Sequence, residues 1–324
     1  MPVNARRILR TIGFLLSAAA LVWIALRFAR SGALDLLERA PAAPSKLVAA
    51  LFFLALAYAA AAVLLAFAWW RLTSALAAGT RASAVSTMAT YAVSQYGKYL
   101  PGNFAHYAIR HAWSRQYGIP HASLGLASIL EAALLLLSAL ALTLLADTRS
   151  LRVLSILDPR VAIALLAATL AVLGLVLHAS RSSRLLGRFL LPPLPPLPVL
   201  LLCLAFYSGF FILAAGLLDG LAHALAIPVG SFAMLLAASA ASWLAGFVVI
   251  GAPGGLGVRE AAFVALAGGA LGESHALLLI GFFRVVTFLG DTLFFAAGAI
   301  VLRVRERGTV ADETTPTSEN RRSP

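Results

Sequence analysis

Charge is what this chain has least of. Only 12% of its 324 residues are Asp, Glu, Lys or Arg, against about 25% in a soluble domain. Hydrophobic residues make up 61% and the mean hydropathy is +0.92, which excludes an ordinary soluble globular protein. Acids are scarcer than bases, 13 against 25. There is one cysteine, Cys203, within an apolar run. It cannot form an intramolecular disulfide and is expected to be an inert packing residue. The six histidines show no metal-ligand spacing, and no HExxH, GxSxG or phosphate-loop lysine occurs. No cofactor, metal or catalytic residue is therefore expected. The strong alternation of a membrane β-barrel is missing too, which leaves an all-α bundle.

What is present is a series of long apolar runs. About 20 apolar residues carry a helix across the hydrocarbon. Runs near 11–26, 47–70, 122–146, 160–178, 197–218, 230–252 and 276–302 qualify, and 253–272 is a shorter candidate that either crosses or re-enters. Arg6, Arg7 and Arg10 precede the first run, which is expected to be an uncleaved span. The formal charge of +12 would suggest nucleic acid in a soluble protein. Here the bases sit mainly between spans or at the ends, as cytoplasmic loops require, and no nucleic-acid partner is expected. Arg71, Arg81, Lys98, Arg110 and Arg115 in 71–121, and Arg181, Arg184 and Arg188 in 179–196, have no acid among them. Both segments and both termini are expected inside the cell, which needs an even number of crossings; about eight is the count expected. The 27–46 loop dissents, with three Arg and one Lys alongside Asp35 and Glu38. The prolines of FLLPPLPPLP at 189–198 cannot continue a helix and divide a single membrane domain, 1–307, into halves of about 1–188 and 197–307. The polar stretch 308–324 is expected to be a disordered cytoplasmic tail.

Each half has one Pro-Gly break before a cationic helix start: Pro101-Gly102-Asn103 and Pro253-Gly254-Gly255. Broken helices at matching places in two weakly related halves point to a transporter binding site; chance placement of two common membrane residues is the alternative. After the first break Asn103 is a suitable N-cap, and Asn103, His106 and Arg110 fall on one helical face, with Lys98 just upstream. After the second, Gly254, Gly255 and Gly257 permit close backbone approach and Arg259 and Glu260 open a helix. Free backbone N–H groups at a helix start suit a phosphate or carboxylate. Interfacial anchoring at the first segment and small-residue packing at the second explain the same residues without a ligand. Three acids, Glu131, Glu260 and Asp291, lie inside apolar segments with Arg284. Such residues face the bundle interior and have a partner or a task. Glu131 with Arg284 is one expected pairing, and Arg110 with Arg259 on one anion is another expectation.

GKYLPGNFAHYAIRH with the later GIP, and APGGLGVREAAFVALAGGALG followed by Arg284, resemble the two signatures of the lysylphosphatidylglycerol synthase transmembrane-region family, also called the flippase-like domain. Glu131 matches an acid that the family carries after the first signature. The resemblance covers most of residues 10–305. It implies an eight-helix bundle in the cell (inner) membrane that moves, or helps to move, a lipid with an anionic or phosphate-containing headgroup, with envelope-biosynthesis proteins as possible partners. The full synthases also carry a large soluble domain that transfers lysine from a charged tRNA. These 324 residues leave no room for it, so synthase activity is not expected. A membrane-embedded lipid or glycolipid transferase and a non-transporting accessory subunit of envelope-glycan synthesis stay open as alternatives.

Overall fold

A computed structural model describes residues 44–77, 79–80, 82–100, 105–146, 192–249 and 253–314, with residues 22, 26, 29 and 30. The expected spans at 11–26 and 160–178, and Pro101, Gly102 and Asn103, lie outside the described residues or almost wholly so. Among the described residues the structure is helical throughout, without a strand. The helices are α1 (Pro44–Leu76), α2 (Ala84–Ser94), α3 (Ala105–Arg115), α4 (His121–Ala146), α5 (Leu197–Ala224), α6 (Phe232–Val248), α7 (Val258–Leu271) and α8 (Glu273–Thr314). Two 3-10 turns interrupt the path: Gln95–Tyr99, just before the first expected break, and Pro253–Gly255, at the second.

Four helices are long and apolar enough to cross a membrane: α1, α4, α5 and the Glu273–Arg305 part of α8. The sequence expectation of about eight crossings is thus met for four among the described residues. The 17-residue α6 is apolar, but at 1.5 Å per residue it spans only about 25 Å. The 14-residue α7 is shorter still.

Starts and stops follow from local chemistry. Pro44 opens α1 where its missing N–H costs nothing. Ser83 caps α2 by accepting from the Ser86 N–H at 3.2 Å. Pro192, Pro193, Pro195 and Pro196 keep the approach to α5 non-helical until Leu197. Gly254, Gly255 and Gly257 all have positive φ, a reversal other residues resist, so the chain turns sharply before α7.

The expected end of the last helix near 302, with a disordered tail from 308, needs correction. The described α8 continues to Thr314. No proline occurs after Arg284 until Pro316, and the residue before a proline avoids the helical region.

Packing centres on α1, which touches α5, α8, α2 and α4. Its inner stripe is Ala55, Ala59, Ala62, Ala66, Trp69 and Thr73, all buried at helical spacing. Small residues let membrane helices approach closely, since lipid offers no hydrophobic drive to pair them. On α8, a Cβ at Gly290 would sit 2.8 Å from the Ala55 carbonyl oxygen, and one at Gly298 would sit 2.9 Å from that of Ala89. Both glycines therefore mark close helix crossings. Phe52, Phe53, Leu56 and Val63 face outward from α1, as lipid contact requires.

Candidate functional site

The first cluster is built around Arg110. This arginine is 1% exposed, which is costly unless the charge is answered. Its Nη1 donates to Glu131 Oε2 at 2.6 Å, and its Nε donates to Ser94 Oγ at 3.3 Å. Tyr91 donates to the other Glu131 oxygen at 2.9 Å. The guanidinium lies 4.1 Å from the Tyr91 ring centre and 4.4 Å from that of Trp69. Helix α3 thus delivers a cation to the carboxylate of α4, inside an aromatic box closed by α1 and α2. The expected partner of Glu131 was Arg284. The structure replaces it with Arg110, which is nearer in the chain and on the helix α3 that packs directly against α4.

The second cluster lies where the 95–99 turn meets the second break. Gly254 sits against the Tyr99 ring, its absent Cβ position 3.3 Å from that ring. Tyr99 Oη donates to Asp291 Oδ2 at 2.5 Å, and Lys98 Nζ lies 2.7 Å from the same oxygen. Tyr96 Oη and Thr292 Oγ1 are 2.6 Å apart. The 3-10 turn Gln95–Tyr99 is therefore latched onto α8. About two turns earlier on α8, Arg284 pairs with Glu260 of α7 and reaches the Gly255 carbonyl at 3.4 Å. Arg284 and Asp291 are each paired with a residue outside α8.

Arg259 is different. No carboxylate pairs with it among the described residues, and its Nε is buried without a hydrogen-bond partner. Its guanidinium stands 5.6 Å from the Trp243 ring centre. Cβ atoms at Gly246 or Gly255 would collide with its side chain. Those two glycines form the slot through which Arg259 enters the bundle.

Two adjoining cavities share Tyr58, Lys98, Phe210, Trp243 and Arg259 as walls. The first, about 70 Å³, is completed by Tyr99, Arg284, Asp291 and Gly254 among others. The second, about 80 Å³, adds Gln95, His106, Tyr107, Glu131 and Tyr91. By the measure in which one water occupies roughly 10–15 Å³, each has room for on the order of five water-sized groups. Burial pushes the Lys98 ammonium below its ordinary value, and Asp291 partly restores it. Burial, with Arg110 and Lys98 nearby, pushes the His106 imidazole down to about 2. His106 is therefore neutral near pH 7, and its Nδ1 has no partner.

The structure thus brings together Lys98, His106, Gly254, Arg259, Arg284 and Asp291 around one pair of cavities. Glu131 lines the second, while Arg110 lines neither and supports the site through Glu131. Gly255 shapes the slot for Arg259, Gly257 is the positive-φ residue preceding α7, and Asn103 lies outside the described residues. The sequence reading did not single out Tyr58, Trp69 or Trp243. Each sits in an apolar helix where nothing distinguishes it from packing. The aromatic run from Tyr91 to Tyr107 did stand out among basic residues, and it supplies much of the wall.

Among the described residues no group of three His, Cys, Asp or Glu could hold a metal ion. No protein-family model matches the chain, and no curated protein matches its sequence. The class defined by the fold is an all-helical membrane protein with at least four candidate spans and a charged interior.

Proposed function

We propose that the chain binds a membrane lipid through an anionic, phosphate-containing headgroup and carries it between leaflets of the cell membrane, with both termini cytoplasmic. The observation that carries this reading is the charge of the paired cavities. Lys98, Arg259 and Arg284 supply three positive charges; Asp291 and Glu260 supply two negative ones, leaving one cation over. An uncompensated buried cation is expensive unless an anion joins it. The surrounding walls of Tyr58, Phe210, Phe211 and Trp243 suit a ligand with apolar chains. Short helices and a reversal at the second break resemble the interrupted helices that transporters place at binding sites. The family resemblance points the same way.

The purified protein in vesicles tests this. A fluorescent phospholipid on the inner leaflet should become accessible to a membrane-impermeant quencher much faster with the protein than without it. Arg259→Gln should slow that movement roughly tenfold, since a charge-assisted contact is worth about 1.5–3 kcal/mol. Equal rates with and without the wild-type protein would sink the reading.

A further inference from the structure

We infer that α2–α3 and α6–α7 are two hairpins that dip into the membrane from opposite faces, and that each closes the paired cavities from its own side. Helix α8 gives the depth scale. Its Glu273–Arg305 stretch is long and apolar enough to cross, and Asp291 lies near the middle of it. The first hairpin starts beside Arg305, which donates to the hydroxyl of Ser83 and, at 2.7 Å, to that of Ser86. Further along, a Cβ at Gly298 would sit 2.8 Å from that of Ala92. Tyr96 then meets Thr292, and Lys98 and Tyr99 meet Asp291. The chain thus descends about 20 Å along α8 and stops at mid-span. Helix α3 carries it back. A Cβ at Gly97 would sit 2.6 Å from the His106 backbone nitrogen, near the start of α3. Arg110 donates to Ser94, and His111 meets His121 at 2.6 Å where α4 begins. Ser123 donates to the Leu76 carbonyl at the end of α1, at 2.9 Å. The segment therefore returns to the face from which it entered.

The second hairpin enters from the other face. Helix α5 runs antiparallel to α1: Cys203 meets the Ala68 carbonyl, and Gly220 lies against Leu54. Its end at Ala224 is therefore beside the start of α1, and α6 begins there, at Phe232. By Trp243 the chain is level with the middle of α5, with the Trp243 and Phe211 ring centres 5.1 Å apart. The Pro253–Gly255 turn meets Tyr99 at Gly254. Helix α7 then climbs back along α8. Glu260 pairs with Arg284, and Gly268 lies against Glu273, the first residue of α8. Neither the 17 residues of α6 nor the 14 of α7 match a hydrocarbon layer of roughly 30 Å. Broken backbone at this depth is tolerated where protein buries it, and Gly254, Gly255 and Gly257 are buried. The expected crossings at 230–252 and 253–272 thus combine into one re-entry. With the expected spans at 11–26 and 160–178, that leaves six crossings, still an even number, and both termini stay on one face.

The cavities lie between the two deep ends. Lys98 and Tyr99 of the first hairpin wall them, as do Trp243, Gly254 and Arg259 of the second. The first hairpin stands between the cavities and the Arg305 face; the second stands between them and the Glu273 face. Because neither hairpin crosses, either can withdraw without unthreading a span. The deep end of the first is held by polar contacts to Asp291 and Thr292, which water can replace once the turn moves. Withdrawal of one hairpin at a time opens the cavities to one face at a time. As gates the hairpins rest on the transport reading above; as re-entrant segments they do not depend on it.

Depth and access give the test, both in the full chain on a Cys203→Ala background. A fluorophore on Leu256→Cys, in the turn before α7, is quenched by lipids spin-labelled either at the headgroup or near the acyl-chain end. Acyl-chain labels should quench it more strongly. Stronger quenching from the headgroup would place the turn at the surface, make α6 and α7 separate crossings, and overturn the inference. Access is read at Thr287→Cys, which lines the first cavity, with an impermeant anionic thiosulfonate applied to right-side-out and to inside-out vesicles. It should react from both faces. A disulfide between Ala92→Cys and Gly298→Cys, whose Cβ positions lie close enough to be joined, fastens the first hairpin to α8. Reaction from the Arg305 face should then be lost, reaction from the opposite face should persist, and reduction should restore both. Loss from both faces, or from neither, overturns the gating. The depth measurement uses a variant of its own, so it decides the hairpin even if the disulfide variant does not assemble. Correct depth and gating without any phospholipid movement by the wild-type protein would instead refute the transport reading and leave the hairpins standing.

Discussion

Arg110 shows how a charged residue can be buried in an apolar chain. Its charge is sealed from both cavities, yet it fixes Glu131, which borders one of them. Removing one member of a buried pair leaves an orphaned charge, at a cost of about 3–5 kcal/mol. Arg110→Met and Glu131→Leu should each lower the melting temperature in detergent sharply. The double variant should recover most of the loss, because apolar replacements of similar volume are often neutral. A double variant less stable than either single one would mean that the pair is not the main interaction of these residues. The sequence made Glu131 legible as a buried charge needing a partner, but read Arg110 as a headgroup-facing base of a cytoplasmic segment and not as that partner. Spacing along a helix fixes a face, whereas pairing depends on how α3 folds back on α4. Arg259 was legible in the same partial way. Its place beside a glycine turn was evident; the slot formed with Gly246 was not, because Gly246 lies in another helix.

At the level of elements, the glycines of α8 carry a prediction. A leucine at Gly298 must displace Ala92 and the Ala89 backbone of α2. Overpacking of this kind costs on the order of 1–3 kcal/mol. Gly281 lies on the exposed side of the same helix with nothing within 4 Å of its absent Cβ. Gly298→Leu should therefore reduce thermal stability while Gly281→Leu does not, and similar melting temperatures for the two would refute the close crossing. The four long helices were evident from apolar length alone, and their starts at prolines or caps fell close to expectation. Residues 71–121 were less so. A cationic segment read as a connection contains α2, a 3-10 turn and α3, with Thr87, Thr90 and Ser94 buried. Small polar residues such as these satisfy themselves on nearby backbone carbonyls, as Ser94 does on Tyr91 at 2.7 Å. They pack like alanine while lowering the apparent hydrophobicity of the segment.

For the molecule as a whole, orientation is the prediction the charge pattern makes. On a Cys203→Ala background, an impermeant maleimide added to intact cells should label Gly230→Cys and leave Leu185→Cys untouched. Labelling at 185 would invert or break the proposed topology. Cys203 itself is fully buried, so its replacement by alanine removes little reactivity and little bulk. The bundle also has a mechanical property that follows from α8. Arg284 ties this helix to the second break, and Asp291 and Thr292 tie it to the turn before the first. The two anchor points are seven residues apart, about 10 Å along a single rigid rod. Neither the 95–99 turn nor the second break can shift its grip on α8 without altering the leverage on the other. Coupling of this sort is reciprocal: whatever factor an event at the first tip imposes on the second, the second returns. A single rod gripped at two points therefore holds the 95–99 turn and the start of α7 at a fixed distance from each other.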